Sequence, residues 1–352
     1  MRRLALAALV FVGCPSARQA AAAAAGDVAY ITNQADGVTV LDTRTLTARA
    51  LITVGRGPRG LGITPDGRWL LTANKESADV SVVDTASMKE VKRIAVGANV
   101  EFMRISPDGS QAFVTYEPSS RGKPSAATAG EPDEAAVAAE VAVIDLRKWA
   151  VVGRMKAALE TEGIEFSPDQ RSVVVANEGD NTIAVYDLAA LRKVKTIDVS
   201  PFGDRPRGIK LSPNGKSYVV TLENSNNFLL MDLGFKIVKS VPTAKGPYGV
   251  AFDPEGRQIW IAAARGRELQ VFDAMSLAQV ASIPVGKRCW HFSFTPDARK
   301  VLLACGRSNA VEVIDPKAYK VIDVLQDYKQ PWGIVTYPKS SGTVDAPASG
   351  TR

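Results

Sequence analysis

The chain has 352 residues, 46% of them hydrophobic, so it can bury a large core, as two ordinary domains or as one repeat domain. Its net charge of +6 is modest, and Arg2, Arg3 and Arg18 fall in an N-terminal segment that reads as removable, so charge gives no support to nucleic-acid binding. One histidine and three cysteines argue against a multi-ligand metal centre, and no internal apolar run is long enough to cross a bilayer.

The N-terminus reads as a targeting signal over residues 1–25. Met1-Arg2-Arg3 is a positive start, Leu4 to Val12 an apolar stretch, and Ala20 to Ala25 a small-residue run. This predicts a periplasmic or otherwise exported protein. Cleavage in the alanine run would leave it without an anchor. Phe11-Val12-Gly13-Cys14 also resembles a lipoprotein box, in which Cys14 would carry a lipid, the one route by which a membrane would be a partner.

From residue 26 to 338 a repeat governs the chain. Its most visible part is Pro65-Asp66-Gly67, a turn in which proline pre-sets φ, aspartate caps and glycine accepts positive φ. It returns at Pro107-Asp108-Gly109, Pro168-Asp169-Gln170, Pro213-Asn214-Gly215, Pro254-Glu255-Gly256 and Pro296-Asp297-Ala298, with a degenerate copy at Tyr337-Pro338-Lys339. A second marker is an alternating apolar strand ending in aspartate, at Asp42, Asp84, Asp145, Asp187, Asp232, Asp273 and Asp315. A period near 42 residues with four strand-like runs (a to d) is that of a β-propeller blade, whose two apolar faces are both covered only when blades stack in a ring.

The chain opens on strands b, c and d without strand a, and closes on a lone strand a, Trp332 to Tyr337. The prediction is an all-β, seven-bladed β-propeller closed by pairing of the C-terminal strand with the N-terminal strands. One Asp-to-Asp spacing of 61 places an insertion in the third blade, a flexible loop at about 117–140. The Ser/Gly/Pro-rich tail, 339–352, reads as disordered.

The strand–Pro-Asp-Gly–strand–Asn unit, as in Ser167 to Asp187, resembles the YVTN family of bacterial propeller repeats. With the signal segment, seven repeats and the closing Gln330-Pro331-Trp332-Gly333-Ile334-Val335, the chain most resembles exported seven-bladed proteins named for association with PQQ-dependent alcohol catabolism. That resemblance implies a periplasmic accessory of an alcohol-oxidation or associated transport system, and with no complete catalytic set in the chain the expectation is a non-enzymatic protein that binds a small molecule or a periplasmic protein: a PQQ dehydrogenase, a cytochrome or a transporter component.

Chemistry is expected on the face of the d–a and b–c loops, opposite the Pro-Asp-Gly turns. Aligned on those turns, one column reads Arg59, Glu101, Glu162, Arg207, Tyr248, Trp290, Trp332, and it should ring the mouth of the central channel as a ligand-binding set. These side chains could equally plug the channel and pair with one another. The next column is glycine except at Phe102 and His291. His291 is a candidate ligand contact or base, or else a hydrogen-bonded buried histidine. Deeper lie Arg104, Glu165 and Lys210, a channel-lining ion network. No metal, cofactor or catalytic residue is assigned. There is no CxxCH for covalent haem, and the loop asparagines read as caps rather than calcium ligands. Cys289 and Cys305 flank one hairpin and could form a disulfide. The alternatives to the accessory role are a lactonase-like hydrolase using Glu101, Glu162 and His291, and a scaffold that docks a dehydrogenase or cytochrome.

Overall fold

The computed structural model describes residues 27–117 and 138–345. The expected signal segment, Cys14 and most of the expected blade-three insertion lie outside the described residues. Within them the chain forms seven antiparallel sheets, six of four strands and one of five, arranged as a propeller. The N-terminal strand Val28–Asn33 pairs with Val38–Asp42 on one side and with the C-terminal Pro331–Tyr337 on the other, Ala29 facing Thr336. The surplus final strand thereby completes the first blade, and the ring has no unpaired end.

The repeat markers have clear duties. Each aspartate closing strand c turns the chain into strand d by accepting backbone N–H bonds: Asp42 from Arg44 and Thr45, Asp145 from Arg147 and Lys148, Asp315 from Lys317 and Ala318. At the a–b turns the Thr64 hydroxyl donates to Asp66 and accepts from the Trp69 N–H. Ser106, Ser167, Ser212 and Thr295 repeat that knot. Strands b and c carry the core, because both their faces meet a neighbouring blade. Leu70, Leu71, Val80, Val82 and Val83 are fully buried. Outer strands such as Lys89–Ala95 are mostly exposed and lysine-rich, which protects the blade edges from pairing with another chain.

The inner strands share a defect that sets up the functional face. Pro58 faces Asn74 and Leu61 faces Thr72, so Arg59 and Gly60 together oppose Ala73 alone, a β-bulge. The same two-against-one count recurs at the start of every other inner strand. A bulge re-aims side chains at a barrel rim. Here it turns the Arg59 column toward the channel mouth and presses its partner column against the next blade. A Cβ on Gly163 would lie 2.2 Å from the Arg207 carbonyl oxygen, so that column is glycine wherever the backbones touch.

The tail departs from expectation. Residues 339–345 are ordered parts of the fold, while 346–352 lie outside the described residues. Ser341–Gly342 adds a fifth strand to the last blade, pairing with Phe294 and Ser293. Thr343, Val344 and Asp345 are buried. The tail composition is polar and small, as in a disordered segment, but the channel offers its polar groups partners that the sequence does not show.

Candidate functional site

All seven residues of the Arg59 column line one cavity of about 890 Å³ at the channel mouth. Its floor is aromatic. The His291 ring lies 4.2 Å from Trp332, 5.3 Å from Tyr248 and 6.2 Å from Phe102, centroid to centroid. Phe102 and His291, the two exceptions in the glycine column, come from blades three and seven and fill the axis. His291 therefore sits beneath the cavity rather than on its wall. It is 3% exposed, its Nδ1 is 2.9 Å from the Thr343 hydroxyl, and burial with Arg207 and Arg104 nearby holds its pKa well below the usual value. It is a neutral, hydrogen-bonded part of the floor and does not line the cavity.

The walls are charged and mostly self-paired. Arg59 and Lys75 both bind Glu101. Arg207 donates to Glu162 and to the Tyr248 hydroxyl, and sits 2.8 Å from Glu178 and 2.5 Å from Glu223. Its guanidinium also lies 4.3 Å from the Tyr248 ring centroid. Arg205 joins Glu160, Glu178 and Glu223, while Arg288 approaches Glu223 at 3.7 Å. Burial pushes the Glu178 carboxyl well up, with Glu162 and Glu223 adding repulsion against the pull of Arg207 and Arg205.

Two charged groups of the wall have no ion-pair partner among the described residues. Glu117 accepts a hydrogen bond from Asn99 (3.0 Å), and its carboxyl is raised by burial and by Glu101 and Glu160. Arg307 stands on the single turn after Cys305. Beside it, Trp290 packs against Gly306, where a Cβ would come within 1.9 Å of the indole. The Cys289–Cys305 disulfide is present and ties this corner together.

Sequence reasoning missed a second column. Gln34, Lys75, Glu117, Glu178 and Glu223 each follow directly on a strand b, and all line the cavity. The same alignment that exposed the Arg59 column contains them. The asparagines are spent on turns: Asn74 donates to Asp79 and Ser81, and Asn227 to the Phe202 carbonyl and Ser240.

Below the floor, Arg104, Glu165 and Lys210 are buried. Arg104 Nη2 is 3.8 Å from Glu165, and its Nε donates to the Ile164 carbonyl (2.9 Å). Lys210 turns instead to the tail, donating to the Asp345 carbonyl. Burial and the nearby Arg104 push the Lys210 ammonium down to about 7. The unfolded chain keeps that proton to about pH 10. Between about pH 7 and pH 10 the unfolded state thus binds more protons, and stability should rise with pH. Denaturation curves across this range should show the rise in the native protein and a flatter profile in Lys210→Met. Parallel profiles would refute the assignment.

Comparison with known proteins agrees with the seven-bladed propeller fold. The family model described as "Lactonase, 7-bladed beta-propeller" matches residues 146–234. No curated protein matches the chain. Similar solved structures include a putative 6-phosphogluconolactonase from Bacteroides uniformis, with TM-score 0.71, 14% identity, and coverage of 88% of this chain and 99% of that one. The periplasmic gluconolactonase of Pseudomonas aeruginosa gives 0.69, 18%, 88% and 99%. Hydrazine synthase of Kuenenia stuttgartiensis gives 0.67, 24%, 81% and 91%. The expected non-enzymatic accessory role in PQQ-linked alcohol catabolism is overturned by these matches, which favour the lactonase-like alternative. The repeat unit that suggested the accessory role is shared by propellers of unlike function, so it carries the fold and not the activity. The chain is an all-β, seven-bladed β-propeller with a charged cavity at one end of its channel.

Proposed function

We propose that this protein is an exported hydrolase that opens lactone rings in the channel-mouth cavity. The observation that carries the reading is the pairing pattern of the wall. Among the described lining residues one carboxylate, Glu117, and one guanidinium, Arg307, are left without an ion pair. A carboxylate raised toward neutrality is suited to accept a proton, and an unpaired guanidinium to meet negative charge. Glu117 takes a proton from water as the water oxygen bonds to the lactone carbonyl carbon. The ring C–O bond then breaks, and the leaving oxygen takes the proton from Glu117 to become a hydroxyl. The carboxylic acid so formed loses its remaining proton to solvent, and Arg307 faces the charge that grows on the carbonyl oxygen and persists on the carboxylate product. The half-exposed Trp290 face offers a flat surface to the C–H side of a sugar ring.

The matched family model and the two lactonase structures support the reaction class. The N-terminal signal pattern and the likeness to a periplasmic enzyme support export. The test is proton release on a pH-stat with purified mature protein and gluconolactone or related sugar lactones. Hydrolysis well above the spontaneous rate is expected. A rate equal to the spontaneous one across the panel would refute the proposal.

A further inference from the structure

The channel-mouth cavity does not end at Arg59. A second cavity of about 520 Å³ lies between the rims of blades one and two, and it shares Gln34, Arg59, Lys75 and Gln330 with the first. The sill between the two is the Arg59–Glu101–Lys75 ion cluster, braced by the Arg59 Nε bond to Gln34 (2.9 Å). The annex differs from the main cavity in its chemistry. The main cavity has an aromatic floor and carboxylates and guanidiniums mostly consumed by one another. The annex adds Asp36, Arg56 and Glu76, which carry no ion pair among the described residues. Planar carboxylate, amide and guanidinium groups that remain free to bond are the set that recognises paired hydroxyls through bidentate hydrogen bonds.

We infer that the annex is a second subsite, which holds a further sugar unit attached to the lactone. The preferred substrate class is then a lactone at the end of an oligosaccharide, not a free monosaccharide lactone. The inference rests on the lactonase reading for the identity of the ring in the main cavity. Each cavity is of a size that holds a small ligand by itself, and their shared wall lets one molecule occupy both.

Two measurements separate the subsite from the reaction. The first is calorimetric binding of the stable hydrolysis products, gluconate and cellobionate, to the full mature protein. Cellobionate should bind about tenfold more tightly than gluconate, and Arg56→Ala combined with Glu76→Ala should remove that advantage while leaving gluconate unchanged. The second is hydrolysis of gluconolactone and cellobionolactone by the same proteins. The kcat/KM for cellobionolactone should fall about tenfold in the double variant, with that for gluconolactone unaffected. Equal affinity for both products, or an equal loss on both in the variant, would overturn the subsite even if both lactones are hydrolysed. Selective cellobionate binding without hydrolysis would retain the subsite and sink the lactonase reading instead.

Discussion

Replacing Arg207 with alanine is expected to cost about 3–5 kcal/mol of folding stability, because it leaves buried carboxylates without their cation. Three glutamates, one from a strand and two from loops, converge on this one side chain. Glu162 comes from the inner strand of blade four, Glu178 from the b–c loop of that blade, and Glu223 from the b–c loop of blade five. All three are at least nine-tenths buried. Arg205 remains beside Glu178 and Glu223, which sets the upper end of the range, but it makes no ion pair with Glu162. Urea denaturation of the variant provides the value. Arg257→Ala, which breaks only the exposed contact with Glu255, is the comparison and should change stability by less than about 1 kcal/mol. A similar small loss for Arg207→Ala would show that the cluster relaxes or neutralises, and that the walls of the cavity are not held by it.

The largest effect on turnover is expected from Glu117→Gln. If Glu117 is the proton acceptor, kcat/KM for a sugar lactone should fall about 10²–10⁴-fold. The substitution preserves size and keeps an acceptor for Asn99, so the thermal midpoint should stay near that of the native protein. The pH profile supplies an independent check. The base works only when ionised, and its carboxyl is raised by burial and by Glu101 and Glu160. Activity should therefore decline as pH falls, with a midpoint above the ordinary glutamate value of about 4.3. That acid limb should vanish in Glu117→Gln. Retained activity with the limb intact would remove Glu117 from the mechanism and direct attention to Glu178, the other carboxyl of the cavity wall that burial raises.

Much of the fold could be read from the chain. The Pro-Asp-Gly turns and the strand-c aspartates act through hydrogen bonds within a few residues, so their spacing reports blades directly. Closure by Pro331–Tyr337 followed from a missing strand at one end and a surplus strand at the other. The Arg59 column was legible for the same reason: a repeat makes positions comparable, and loss of symmetry in one column marks a place where the blades do different work. The second column, from Gln34 to Glu223, was equally available in that alignment. Its signal is weaker, because Gln34, Lys75 and Glu178 follow an asparagine whereas Glu117 follows Tyr116 and Glu223 follows Leu222.

What the sequence determined by itself is therefore the architecture and the list of side chains at the channel mouth, since both depend on local bonds repeated at a fixed interval. Tertiary structure alone decided which charges are spent and which are free. Arg207 meets Glu162 and Glu178 only because blades four and five adjoin, and His291 is sealed only because Phe102 reaches it across the axis from blade three. The polar tail is ordered only because Ser293, Lys210 and His291 offer it partners inside the channel. Ion pairing and burial are properties of the closed ring, in which residues far apart in sequence share one small volume of low dielectric.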